Sequence, residues 1–123
     1  MMRVPTYVAQ SRIPGAGLGV FCATAITAGQ ILWMFDPGLD VEIDRLPEDP
    51  AIAAYLHRYS YMPRLGAERR ILCVDDARFY NHADDPNSVG DEWISYAAID
   101  IPADSELTVD YRSFDRRPLD FWL

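Results

Sequence analysis

The chain has 123 residues, enough for one domain with its own core. Its formal net charge is −8, and all 11 basic residues are arginines. This balance argues against a nucleic-acid backbone as partner, which calls for clustered positive charge. No apolar run approaches the roughly 20 residues of a membrane span.

An acidic surface suits a basic protein or peptide partner, and it also serves plain solubility. The absence of lysine fits a coding bias toward arginine. It would also leave an enzyme acting on lysine no substrate within itself. Met1-Met2-Arg3-Val4-Pro5 lacks the apolar stretch of a secretory signal. Cys22 and Cys73 stand alone, without metal-site spacing, so two reduced buried thiols are expected. These features point to a cytoplasmic protein, or to a host nucleus if the chain is secreted or viral.

Val4 to Gln10 reads as a strand with Pro5 near its start. Gly15-Ala16-Gly17-Leu18-Gly19 follows, where three glycines in five residues imply a tight turn or a close approach. It lacks the Gly-Lys-Ser/Thr ending and the helix of a phosphate-binding loop. Val20 to Ala23 and Ile31 to Phe35 read as strands, the second stopped by Asp36-Pro37-Gly38. Val41-Glu42-Ile43 is a short strand candidate. Asp49 has the chemistry of a helix N-cap, with Pro50 at the first helical position. Ile52, Tyr55, Leu56 and Tyr59 then share one helix face, read as core, with His57 off it on the surface.

Ile71 to Val74 is a short buried strand. It leads to Asp76-Ala-Arg-Phe-Tyr-Asn-His-Ala-Asp-Asp-Pro-Asn87, where the polar pair Asn81-His82 follows the aromatic pair Phe79-Tyr80. Polar groups beside aromatic ones need partners when buried. Read alone, the stretch is a turn whose Asn and His satisfy nearby backbone. Ser88 to Asp91 reads as a turn, Glu92 to Ile99 as a strand, and Glu106 to Tyr111 as the last strand. The tail from Arg112 to Leu123 is too apolar to be free and is expected to pack. Many short strands with one short helix describe a mostly β domain.

Three segments, in this order, resemble the SET-domain protein lysine methyltransferases: Gly15-Ala-Gly-Leu-Gly-Val-Phe21, Ala77-Arg-Phe-Tyr-Asn-His-Ala-Asp-Asp-Pro-Asn87 and Ile101-Pro-Ala-Asp-Ser-Glu-Leu-Thr-Val-Asp-Tyr111. The resemblance implies one domain over 1–123, with a core at about 11–111 and a C-terminal cover at 112–123. It implies a β-clip-like fold of several small sheets, with the C-terminal segment threaded in a knot-like arrangement. It also implies S-adenosylmethionine as methyl donor and a lysine of a basic protein as acceptor. Carried over residue by residue, Ala16, Gly17, Leu18 and Gly19 would lie along the cofactor. Asn81 would meet its methionine end and His82 its adenine end, and Tyr111 would be catalytic.

Two departures stand out. The family's Ser-Cys after Asn-His is here Ala83-Asp84, and the zinc-binding cysteine clusters of many members are missing. The cover would then come from Phe114, Phe121 and Trp122, or from a second chain in a homodimer. Tyr61, Phe79, Tyr96 and Phe114 are candidate walls of a substrate channel. Two other readings compete: an inactive module of the same fold that binds a basic peptide, and a metal hydrolase using His82, Asp84 and Asp85.

Overall fold

The computed structural model describes residues 1–64 and 69–117. β1 (Thr6–Gln10) and β2 (Leu18–Cys22) form an antiparallel hairpin, with Tyr7 stacked on Phe21 at 5.5 Å. Its turn reverses through Gly15 and Gly17, whose φ angles of 78° and 77° suit residues without a Cβ.

β3 (Ile31–Met34) belongs to a second sheet, and β4 (Val41–Ile43) to a third. Between β4 and the next strand lies the helix α1 (Pro50–Tyr59), capped by Asp49, whose Oδ1 accepts from the Ala51 and Ile52 N–H groups at 2.8 and 3.3 Å. β5 (Ser60–Tyr61) and β6 (Arg70–Leu72) complete the third sheet in the antiparallel order β4-β6-β5. Of the four residues on the apolar stripe of α1, Leu56 alone is buried, and Ile52 and Tyr55 are exposed. Of the stripe, only its last residue, Tyr59, borders a cleft. His57 is half-buried, not on the surface as its place off the stripe suggested.

A 3-10 turn (Asp76–Phe79) leads into β7 (Asn81–His82), and β8 (Ser88–Gly90) and β9 (Ile94–Ala97) follow. β7 and β8 thus replace the turns expected at Asn81-His82 and at Ser88 to Asp91. The last strand, β10 (Thr108–Val109), is shorter than expected, because Asp110 caps a second 3-10 turn (Tyr111–Ser113) that carries Tyr111 off the strand.

β10 also settles the topology. The five-stranded sheet runs β3-β9-β8-β10-β7, with β10 parallel to both β7 and β8. Residues 83–87 join β7 to β8 and must therefore cross over β10. Backbone and side chain fasten this crossing. The Ala83 N–H donates to the Val109 carbonyl at 3.0 Å. Asn87 donates from Nδ2 to the Glu106 carbonyl and accepts at Oδ1 from the Thr108 N–H, both at 2.9 Å. The knot-like threading implied by the resemblance has this form.

Two apolar clusters support the sheets. Val20, Cys22, Ile26, Leu32, Ala97, Ile101 and Leu107 make one, and Trp33, Tyr61, Ile71 and Cys73 the other. Phe79 and Tyr80 pack on the first, Ala77 and Phe114 on the second, so the segment before β7 bridges both. Cys22 and Cys73 are free and buried.

Candidate functional site

The threading sets three distant stretches side by side: the glycine turn, β7 and the start of the second 3-10 turn. Between them opens a cleft of about 290 Å³. Ile13, Pro14, Gly15, Ala16 and Leu18 line one wall, Arg58 and Tyr59 of α1 another, and Arg78 to His82 with Tyr111 the floor.

Asn81 uses both amide donors within the protein, one on the Leu18 carbonyl at the cleft wall at 2.9 Å and one on the buried Glu106 Oε2 at 3.1 Å. The Glu106 carboxylate, which is buried, also accepts from the Ser11 hydroxyl and the Arg12 N–H, each at 2.8 Å. Gly19 is where this cluster needs a missing side chain. A Cβ there would stand 2.5 Å from Glu106 Oε2 and 3.2 Å from Asn81 Nδ2.

His82 is held from both ring nitrogens. Its Nδ1 accepts the Tyr111 N–H at 3.1 Å, which leaves the proton on Nε2 to be donated to Asp84 Oδ1 at 2.9 Å. Asp84 also receives Arg112 at 3.1 Å, and Arg112 pairs with Asp110 at 2.8 Å. The Arg112 guanidinium, hydrogen-bonded to Asp110, holds that carboxyl below its usual range. Asp84, which stands where the family has a cysteine, thus ties β7 to the turn carrying Tyr111. Among the described residues no cluster of His, Cys, Asp and Glu is placed to hold a metal, and the Asp84 carboxylate is taken by His82 and Arg112.

The Tyr111 hydroxyl donates to the Tyr80 carbonyl at 2.6 Å. Burial pushes its pKa up to about 12, so it remains a donor at neutral pH. Its ring lies 5.5 Å from the His82 ring and meets Phe114 edge-on at 5.7 Å.

A second, narrower cavity of about 70 Å³ adjoins Tyr80, which lines both spaces. Its walls are largely apolar and aromatic: Trp33, Tyr61, Cys73, Ala77, Val109 and Phe114, with Asp91, Glu92 and Ser95 among the polar contributors. Tyr61 is fixed by donating its hydroxyl to the Glu92 carbonyl at 2.6 Å and by an edge-on contact with Phe114 at 5.2 Å.

Most of the expected residues are brought together here, with four changes. Ala16, Leu18, Asn81, His82 and Tyr111 border the cleft, but Gly17 and Gly19 do not line it. Gly17 turns the chain, its carbonyl accepting the Ser11 N–H at 2.8 Å, and Gly19 makes room for Glu106. Phe79 lies in the cleft and not in the narrow cavity, its ring meeting Tyr59 at 5.7 Å. Tyr96 lines neither space. On β9 the neighbours Ser95 and Ala97 point inward, so Tyr96 faces solvent on the opposite side. Phe114, expected either over the cofactor or as a wall of the channel, lines the narrow cavity beside Tyr61. The buried ion pair of Asp115 with Arg117 at 2.8 Å, and the Arg117 bond to the Ser60 carbonyl at 2.7 Å, draw that segment toward β5. Phe121 and Trp122 lie outside the described residues.

Sequence reasoning missed Arg58, Tyr59 and Arg78 as cleft residues. The available signal was an arginine directly before an aromatic residue, Arg58-Tyr59 and again Arg78-Phe79. Arg78 Nε is buried with no hydrogen-bond partner in the protein among the described residues. Two guanidinium groups beside the rings of Tyr59 and Phe79 fit a ligand that carries both an anionic group and a flat heteroaromatic one.

A threaded β-clip with a wide cleft and a narrow aromatic cavity meeting at Tyr80 is the architecture of a SET domain. Residues 17–112 match the sequence profile of that family, and the chain belongs to it. No curated protein matches the sequence. Among solved structures, a candidate histone methyltransferase of Plasmodium falciparum is similar at 24% identity and a TM-score of 0.62, with 89% of this chain and 95% of that chain covered. The Chaetomium thermophilum Polycomb Repressive Complex 2, in an autoinhibited conformation bound to S-adenosylmethionine, is similar at 20% identity and a TM-score of 0.66. There 90% of this chain is covered, but 16% of that one. A humanized mutant of the same complex, bound to the inhibitor GSK126, gives 20% identity and a TM-score of 0.67, covering 90% of this chain and 15% of that one. At these identities the likeness is one of fold.

Proposed function

We propose that this SET domain transfers a methyl group from S-adenosylmethionine to the side-chain nitrogen of a lysine in a basic protein. The observation that carries the reading is the pair of spaces that share Tyr80, the larger lined by polar and apolar groups alike, the smaller largely apolar. Arg58, Arg78 and Asn81 would hold the amino-acid end of the cofactor, and Tyr59 and Phe79 would flank its aromatic end. Bound there, it supplies a methyl group on a positively charged sulfur.

The acceptor must arrive as a neutral amine. Removing a proton from a lysine of ordinary pKa at pH 7 costs about 4.6 kcal/mol. A positive sulfur about 4 Å away, at an effective dielectric near 20, disfavours the ammonium by about 4 kcal/mol. The walls of the narrow cavity act in the same direction by stripping water from the amine. No dedicated general base is then required. Tyr111 and the Tyr80 carbonyl, held together at 2.6 Å, would orient the reacting groups. The net charge of −8, with Asp91 and Glu92 beside the narrow cavity, supports a basic substrate.

The test is incubation of the purified protein with methyl-labelled S-adenosylmethionine and a basic peptide, in lysine-bearing and arginine-replaced forms. Label is expected on the lysine form alone. The chain has no lysine of its own, so self-labelling of lysine cannot add background. Absence of transfer to every lysine-bearing peptide and to whole lysate, with cofactor bound, would turn the reading toward the inactive peptide-binding module.

A further inference from the structure

We infer that Glu106 is a positioning residue of the cleft: its carboxylate commits the Asn81 amide inward, so that Asn81 shows the cleft only a carbonyl oxygen. The site then selects ligands with a hydrogen-bond donor, an ammonium, at that point. This rests on the cofactor reading above and deepens it.

The surroundings of the Asn81 amide fix its orientation. Both groups that face Asn81 Nδ2 are acceptors, the Leu18 carbonyl and Glu106 Oε2. Rotating the amide by half a turn would set three oxygens against one another, so chemistry fixes which end points inward. Glu106 is in turn fixed by donors from elsewhere, the Ser11 hydroxyl and the Arg12 N–H. Both Asn81 donors are thereby used. Its Oδ1 meets no donor among the described residues, and Asn81 borders the cleft.

An amide held on one side only would turn to suit whatever binds, offering N–H to an anion or C=O to a cation. Glu106 removes that choice. The buried negative charge also lies directly behind the amide, where it favours a cation in front. The missing Cβ of Gly19 provides the space the carboxylate needs.

The experiment is a calorimetric titration of the whole chain with three probes. S-adenosylmethionine and S-adenosylhomocysteine carry an α-ammonium group, and 5′-methylthioadenosine lacks the entire amino-acid end. For Glu106→Gln, affinity for the first two is expected to fall at least tenfold, and affinity for 5′-methylthioadenosine to change by less than twofold. Gly19→Ala, which displaces the carboxylate without removing it, is expected to give the same selective pattern. It serves as the test if Glu106→Gln does not fold by thermal melting. Equal loss for all three probes would mean that Glu106 only supports the fold and would overturn the inference. Unchanged affinity for all three would overturn it too. A wild-type protein that binds none of the probes would overturn the cofactor reading itself, and this inference with it.

Discussion

Tyr111 and Glu106 show how differently two residues of one short motif can be read. Tyr111 lies where the resemblance puts a catalytic phenol, and the structure sets its hydroxyl on the Tyr80 carbonyl at the junction of the two spaces. Tyr111→Phe removes that hydroxyl and little else. Turnover is expected to fall at least tenfold, about 1.4 kcal/mol of barrier, while the Kd for S-adenosylmethionine changes by less than threefold. Turnover within twofold of wild type would remove the hydroxyl from the mechanism. Glu106, five residues earlier, stood in the same motif but could be given no role from the sequence. Its partners Ser11, Arg12 and Asn81 lie far away along the chain, and no local periodicity connects them. Phe79 and Tyr96 misled for a related reason. An aromatic residue beside a motif can face either side of its backbone, and the sequence does not say which.

Among the elements, α1 was legible in its ends and not in its face. Asp49 and Pro50 marked its start correctly. The apolar stripe was real, but its tyrosine end, with Arg58, borders the cleft instead of filling the core. Apolar spacing marks one face of a helix without saying what receives it: here Leu56 is buried, Tyr59 borders the cleft, and Ile52 and Tyr55 stay exposed. The cap therefore bears on binding as well as stability. Asp49→Ala is expected to cost about 1 kcal/mol of stability in urea unfolding. It should also weaken S-adenosylmethionine binding modestly, by about two- to fivefold, because Arg58 and Tyr59 ride on the last turn. Lost stability with unchanged affinity would detach α1 from the site. The strands at Asn81-His82 and Ser88 to Gly90 escaped the sequence because each is too short to alternate; β7 has β10 as its partner, and β8 pairs mainly with β9.

For the molecule as a whole, acid-base behaviour follows from what the fold buries. Burial pushes the Cys73 thiol up to about 12 and Tyr111 also to about 12, and it raises the phenols of Tyr61 and Tyr80 as well. A group whose folded pKa is raised contributes stability that is whole below its unfolded pKa and is lost as pH rises through the folded one. The unfolded values lie at about 8.5 for the thiol and about 10 for the phenols. The urea midpoint should therefore hold steady from neutral pH to about 8.5 and decline steadily toward pH 12. A midpoint unchanged at pH 11 would show that these groups are hydrated in solution. The threading itself was not legible at this scale. Composition and alternation gave a mostly β domain, but the passage of one strand between two others came only through the resemblance.

That passage has a consequence for how the protein is made. β10 is two residues long, yet it lies between the strand bearing Asn81 and His82 and the strand that begins at Ser88. Until Thr108 and Val109 emerge from the ribosome and slide under residues 83–87, the glycine turn has no Glu106 to meet and the imidazole has no Tyr111 amide to receive. A nascent chain that has already formed its hairpin and helix therefore still lacks the floor of the cleft, which is completed only with the last strand to be placed.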